Sequence, residues 1–300
     1  MRSFAQALSL AAAGLSLSFA SPTPAVSPRQ TGSKNLIVFG DSYSTVGFWP
    51  GGTLPAAGNP LGNPALPGQT TSSGLNWVGH LTGTLNTSLV LTYDFAVTGA
   101  TTDKDIVNTY AQFCVDDQVA QYAQYASAKV DKANALVAVW IGINDVGEPF
   151  WAKQPAPVAR IMDRYFELLQ TLADDGLANF VLLTVPPFSD QIPAIIDQPE
   201  VDRARLRSDI AAYNAALETR LAAFKPRKQS SPASTRSGVA LDLHRSRENT
   251  DGLIVCMNQN TADGACLSRR LWPQAIDARV RSAFLRAEPV EEALPEVDLL

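Results

Sequence analysis

The chain has 300 residues, 46% of them apolar, which is enough for a large core and excludes a chain disordered throughout or a collagen-like repeat. Against 29 Asp and Glu stand 24 Lys and Arg, a net charge of −5 with no basic stripe, which excludes a nucleic-acid partner held by phosphate neutralisation. Two histidines and three cysteines, with no C-x-x-C or H-E-x-x-H, are too few for most zinc clusters.

The chain opens as an export signal. Met1-Arg2 carries a positive charge, the run Ala5 to Ala20 is uncharged, and Ser18-Phe19-Ala20 closes it with a small-x-small pattern. Residues 1–20 therefore read as a signal peptide, and the protein as secreted and extracellular. The run is short for a span of about 20 residues and lacks a basic stop-transfer flank, so no membrane span is expected. Residues 21–33, rich in Pro and Ser, read as a flexible lead-in, and 288–300 as an acidic tail.

Export sets the reading of the cysteines. Three cysteines permit three single pairings, and loop locality favours a disulfide between Cys256 and Cys266 in an oxidising compartment. Cys114 then reads as a small buried hydrophobe. Asn86-Thr87-Ser88 is a sequon, which makes Asn86 the expected glycosylation site.

Between these ends, strands alternate with helices. Asn35 to Phe39 is a short apolar run stopped by Gly40, as in a strand buried on both faces. Leu89 to Phe95, Ala135 to Ile141, Asn179 to Val185 and Gly238 to Leu243 read as strands two to five. Val158, Ile161, Met162, Tyr165, Leu168, Leu169 and Leu172 recur at helical spacing, as do Leu206, Ile210, Tyr213, Leu217 and Leu221. The alternation predicts one domain over 34–287, a five-stranded parallel sheet between helical layers. Ligands bind such sheets at the carboxyl ends of the strands.

Three polar turns fall at those ends: Gly40-Asp41-Ser42-Tyr43, Ala96-Val97-Thr98-Gly99-Ala100 and Gly142-Ile143-Asn144-Asp145. Each alone reads as a tight turn or a helix cap. Together they can converge on one point.

That set resembles the blocks of the GDSL, or SGNH, ester hydrolase superfamily. The resemblance implies a flavodoxin-like three-layer α/β/α sandwich (the SGNH hydrolase fold). It makes Ser42 the nucleophile and builds an oxyanion hole from the N–H groups of Ser42 and Gly99 and the amide of Asn144. Preorganised donors of this kind stabilise the charge that forms when a hydroxyl attacks an ester carbonyl. The segments Phe39-Gly40-Asp41-Ser42-Tyr43-Ser44, Asn59-Pro60-Leu61-Gly62-Asn63-Pro64, Gly74-Leu75-Asn76-Trp77-Val78 and Gly99-Ala100-Thr101-Thr102-Asp103 are similar to fungal secreted carbohydrate acetylesterases. This likeness implies a monomer that acts on a small ester or acetylated oligosaccharide, with no metal or organic cofactor. Trp49 to Gly68, with five Pro and five Gly, reads as a stiff loop walling the pocket or as a bare surface connection.

The C-terminal part departs from the superfamily. Its Asp-x-x-His pair is absent where Leu271-Trp272-Pro273-Gln274-Ala275-Ile276-Asp277 stands, although Trp272 matches the tryptophan that often precedes the Asp. Read one base later, the codons for residues 275–283 can encode a peptide resembling the segment after the catalytic histidine in relatives, so a shifted frame or a mis-splice in the gene would account for the gap. His80 lies on a helical stretch. His244, in Asp242-Leu243-His244 at the end of the fifth predicted strand, is the substitute base or a bland strand-end histidine. The residues leave three readings open: an acetyl or short-chain esterase, a lipase or acyltransferase of the same superfamily, or an inactive carbohydrate-binding relative.

Overall fold

A computed structural model describes residues 33–86 and 88–224, together with the backbone of the strand at 254–258. In chain order the elements are β1 (Lys34–Gly40), α1 (Trp77–Gly83), β2 (Val90–Asp94), α2 (Val115–Tyr125), β3 (Ala135–Trp140), α3 (Ile143–Trp151), α4 (Val158–Asp174), β4 (Asn179–Leu183), α5 (Pro193–Ile196), α6 (Glu200–Ala223) and β5 (Ile254–Asn258).

The sheet runs β2-β1-β3-β4-β5. The first four strands are parallel, with Ile37 beside Tyr93 and Val137, and Val139 beside Leu182. The central strand has no solvent face: Leu36, Ile37, Val38 and Phe39 are all 0% exposed. Successive residues of a strand face opposite ways, and aromatic pairs show what covers each side. Phe39 meets Tyr122 of α2 with ring centroids 6.1 Å apart. Trp140, beside Gly40 and thus on the opposite face, meets Trp77 of α1 at 6.5 Å. Helix α4 packs on both α2 and α6, so these three form one layer and α1 covers the other. This is the expected three-layer arrangement.

The two long helices bury the residues whose spacing predicts them. In α4 these are Ile161, Met162, Tyr165, Leu168, Leu169 and Leu172, and in α6 they are Leu206, Ile210, Tyr213, Leu217 and Leu221. Val158 is partly buried against the core.

The fifth strand differs from the expected one. It is formed by Ile254–Asn258 and pairs antiparallel with β4, Cys256 beside Val181. The sheet is therefore four parallel strands with an antiparallel edge, a common ending for such sheets. The run Ile254-Val255-Cys256-Met257 has the β-branched, apolar character that suits an edge strand. The predicted strand Gly238–Leu243 lies outside the described residues, as do the signal peptide, lead-in and acidic tail. Among the described residues no helix is long and apolar enough to cross a membrane.

The loop from Trp49 to Gly68 is more than a surface connection. Leu61 is fully buried, and the Pro60 carbonyl accepts from Thr92 N–H at 2.8 Å, capping the free edge of β2. That contact covers an unpaired row of backbone groups at the sheet margin.

Candidate active site

Ser42 sits in the turn that leaves β1, half-buried, on a backbone held from three sides. The Asp41 carbonyl accepts from Ser44 and Thr45 N–H at 3.0 Å each, and the Asp41 carboxylate accepts from Tyr43 N–H at 3.0 Å. Thr71 Oγ1 donates to the Ser42 carbonyl at 2.8 Å. Just before the turn, the Gln118 amide brackets Gly40, accepting from its N–H and donating to its carbonyl, both at 2.9 Å. Position 40 has no room for a side chain, since a Cβ there would lie 2.3 Å from the Trp140 carbonyl oxygen.

A chain of hydrogen bonds joins the three polar turns. The Gly40 carbonyl also accepts from Val97 N–H at 3.1 Å, which brings the segment after β2 alongside the Ser42 turn. Two residues on, Gly99 takes φ +77°, a backbone region that favours glycine. Asn144, in the first turn of α3, donates one amide hydrogen to the Ala100 carbonyl at 2.8 Å. A primary amide has two such hydrogens, so one remains available as a donor. The neighbouring Asp145 carboxylate accepts from Thr102 N–H at 3.0 and 3.2 Å, a further tie between α3 and the Gly99 segment. Among the described residues, no hydrogen bond uses the N–H of Ser42 or of Gly99.

Electrostatically the site is a cluster of buried acids. Burial pushes Asp41 up to about 7 against the pull of its Tyr43 hydrogen bond, and the nearby Asp145 charge adds to the rise. Burial likewise lifts Asp145 to about 6, opposed by the Thr102 N–H. Asp94, at the end of β2, is raised well above its ordinary value, again by burial. Among the described residues no His, Cys, Asp and Glu cluster could hold a metal ion.

Ser42, Gly99 and Asn144 are thus brought together, while the other expected site residues are not part of that group. His244 and Cys266 lie outside the described residues, and Cys256 is known only as backbone of β5. Cys114 is a free, buried thiol, matching its reading as a small buried hydrophobe. His80 is half-buried on α1, its Nδ1 3.0 Å from Thr84 Oγ1. The Asn86 amide nitrogen, the atom a glycan would occupy, donates to the carbonyls of Leu81 and Thr82. Sequence reasoning missed Gln118 and Thr71, whose roles are long-range and leave no local signal. Asp145 was visible only as a candidate helix cap.

The sequence pattern of the GDSL-like lipase/acylhydrolase family matches residues 36–269. The chain belongs to that family. Among relatives of this GDSL-like chain, an acetylesterase of Thermothelomyces thermophilus is 48% identical over 202 residues, covering 64% of this chain and 66% of that protein. An acetylesterase of Hypocrea jecorina is 33% identical over 128 residues, covering 38% of this chain and 35% of that one. The chain therefore spans just under two thirds of the first relative and about a third of the second. An α/β hydrolase from the metagenome of Lake Arreo, Spain, is 16% identical, covering 62% of this chain and 71% of its own, with a TM-score of 0.38. That last likeness is too distant to carry an argument.

Proposed function

We propose that this protein is a secreted serine esterase that removes acetyl or other short acyl groups from carbohydrate or other small esters. The observation that carries the reading is the hydrogen-bonded chain linking the Ser42 turn, the Gly99 segment and Asn144. The acetylesterase relatives favour acetyl as the acyl group.

In this reading Ser42 Oγ attacks the ester carbonyl carbon, and its proton passes to a base. The carbonyl oxygen becomes an oxyanion stabilised by the N–H groups of Ser42 and Gly99 and by the second amide hydrogen of Asn144. Collapse breaks the bond to the alcohol, which leaves with the proton. Water then hydrolyses the acyl-serine and releases the acid. His244 is the base in this reading, with Asp242 as its orienting partner, because it closes an apolar run of the sequence, whereas His80 lies within helix α1. Burial favours the neutral forms of the neighbouring acids Asp41, Asp94 and Asp145.

Acetate release by the full chain tests the proposal, with Ser42→Ala expected to lose at least about 10⁴-fold. Nitrophenyl esters of rising chain length test the acyl preference, and a maximum at long chains replaces the acetyl reading with the lipase one. The absent Asp-x-x-His pair favours a second reading, a binding protein without turnover. Acetate release that disappears in Ser42→Ala excludes it.

A further inference from the structure

An exposed aromatic side chain stands beside the candidate oxyanion donor. A Cβ placed on Gly99 would lie 2.6 Å from Cζ and 2.9 Å from Oη of Tyr110, so the outer end of that ring rests against the glycine. Yet Tyr110 is 75% exposed, more than any other exposed large hydrophobic among the described residues. Single exposed aromatics are ordinary on protein surfaces. This one is distinguished by where it stands and by how its backbone is held.

The flanking chain is fixed on both sides. Thr109 Oγ1 donates to the Gly99 carbonyl at 2.6 Å and accepts from Ala111 N–H at 3.3 Å. Thr101 Oγ1 donates to the Val107 carbonyl at 3.0 Å, and Val107, Ala111 and Cys114 are buried. From α4, Arg164 Nε reaches the Asp103 carboxylate at 2.8 Å. A backbone so constrained loses little further freedom when a ligand covers the ring.

Resting on the esterase reading, we propose that Tyr110 is a substrate-binding residue for the alcohol half of the ester. Its ring packs against the C–H face of a pyranose and sets a preference for sugar acetates over simple alkyl acetates. The acyl carbonyl must lie between Ser42 and the Gly99 N–H, and an acetyl group fills little space beyond it. The leaving alcohol must depart toward water, and the solvent side of Gly99 is where Tyr110 stands. A tyrosine offers an apolar face with a polar tip, matching a sugar ring with its C–H face and hydroxyl rim.

The test compares kcat/KM for an acetylated methyl pyranoside with that for methyl acetate. In Tyr110→Ala the ratio of the two should fall about fivefold, through a higher KM for the pyranoside, as expected for loss of one aromatic contact. Tyr110→Phe should keep the ratio within about twofold, because the ring face makes the contact. A Tyr110→Ala ratio equal to that of the wild type, whatever the absolute rates, overturns the proposal and leaves the ring as a cover for Gly99. If the wild-type chain hydrolyses neither ester, the esterase reading falls. Calorimetric binding of the pyranoside then decides: about fivefold weaker binding in Tyr110→Ala supports the contact, and equal binding ends it.

Discussion

At the amino end of the sheet, where α4 leads into β4, Asp175 accepts hydrogen bonds from Tyr122 Oη and Ser127 Oγ at 2.8 Å and pairs with Lys132 at 2.8 Å. Partial burial works to raise its pKa, but bonds from Lys132, Ser127 and Tyr122 outweigh that and hold it below the usual carboxylate range. At the carboxyl end the acids are treated in the opposite way. Asp41, Asp94 and Asp145 are all 0% exposed, and among the described residues Asp41 Oδ2 and Asp94 Oδ2 have no hydrogen-bond partner. One end satisfies its carboxylates and gains stability from them. The other buries them, Asp41 and Asp94 each with one oxygen unpartnered, against stability, close to the turns that position Ser42, Gly99 and Asn144. Strain gathered at the chemical end is the pattern expected where structure serves a reaction.

The contrast can be broken most violently at the base. His244→Ala should reduce ester hydrolysis by about 10⁴-fold or more, close to the Ser42→Ala loss, whereas His80→Ala should leave it nearly unchanged. Steady-state kinetics on one acetyl ester decides, and full activity in His244→Ala would place the base elsewhere. Asn144→Ala removes one donor from the carboxyl end and should lower kcat by about 10²–10³-fold, with KM little changed.

Smaller effects sharpen the difference in stability. Asp41 titrates near about 4 when unfolded and at about 7 when folded. The folded chain keeps the proton to higher pH, so this contribution to stability is full below about pH 4 and is lost as pH rises through about 7. Asp41→Asn stays neutral, so its melting temperature should fall less than the wild type's between pH 5 and 8, by a few °C. A melting curve with an unchanged pH slope would contradict this. At the amino end, Asp175→Ala should cost about 1 kcal/mol of stability, read by denaturant unfolding, and leave kcat alone.

How legible this arrangement was in the sequence depended on whether the signal was local. β1, β3 and β4 are continuous apolar runs, and α4 and α6 repeat their buried residues at helical spacing, so each announced itself. The polar turns were legible because each falls between an apolar run and the next helix. The edge strand was not, since its apolar residues lead straight into the polar sequence Asn258-Gln259-Asn260-Thr261, which reads as a loop, and its pairing is decided by β4. Gln118 and Tyr110 were silent for a similar reason. Nothing in the run Val115–Tyr125 marks one glutamine as facing Gly40, and nothing near Tyr110 marks it as lying on Gly99. Their meaning comes from contacts across 78 and 11 positions of chain.

The Gln118 bracket around Gly40 has a consequence for how fast the site opens. The last residue of a strand ordinarily frays, and its amide hydrogen exchanges readily with solvent deuterium. Here the carboxamide of Gln118, anchored in α2, imitates a neighbouring peptide and closes a two-bond ring on Gly40. The Gly40 amide should therefore exchange as slowly as those in the middle of β1, and it should open only when α2 separates from the sheet. The turn that holds Ser42 thus takes its lifetime from a helix rather than from the end of its own strand.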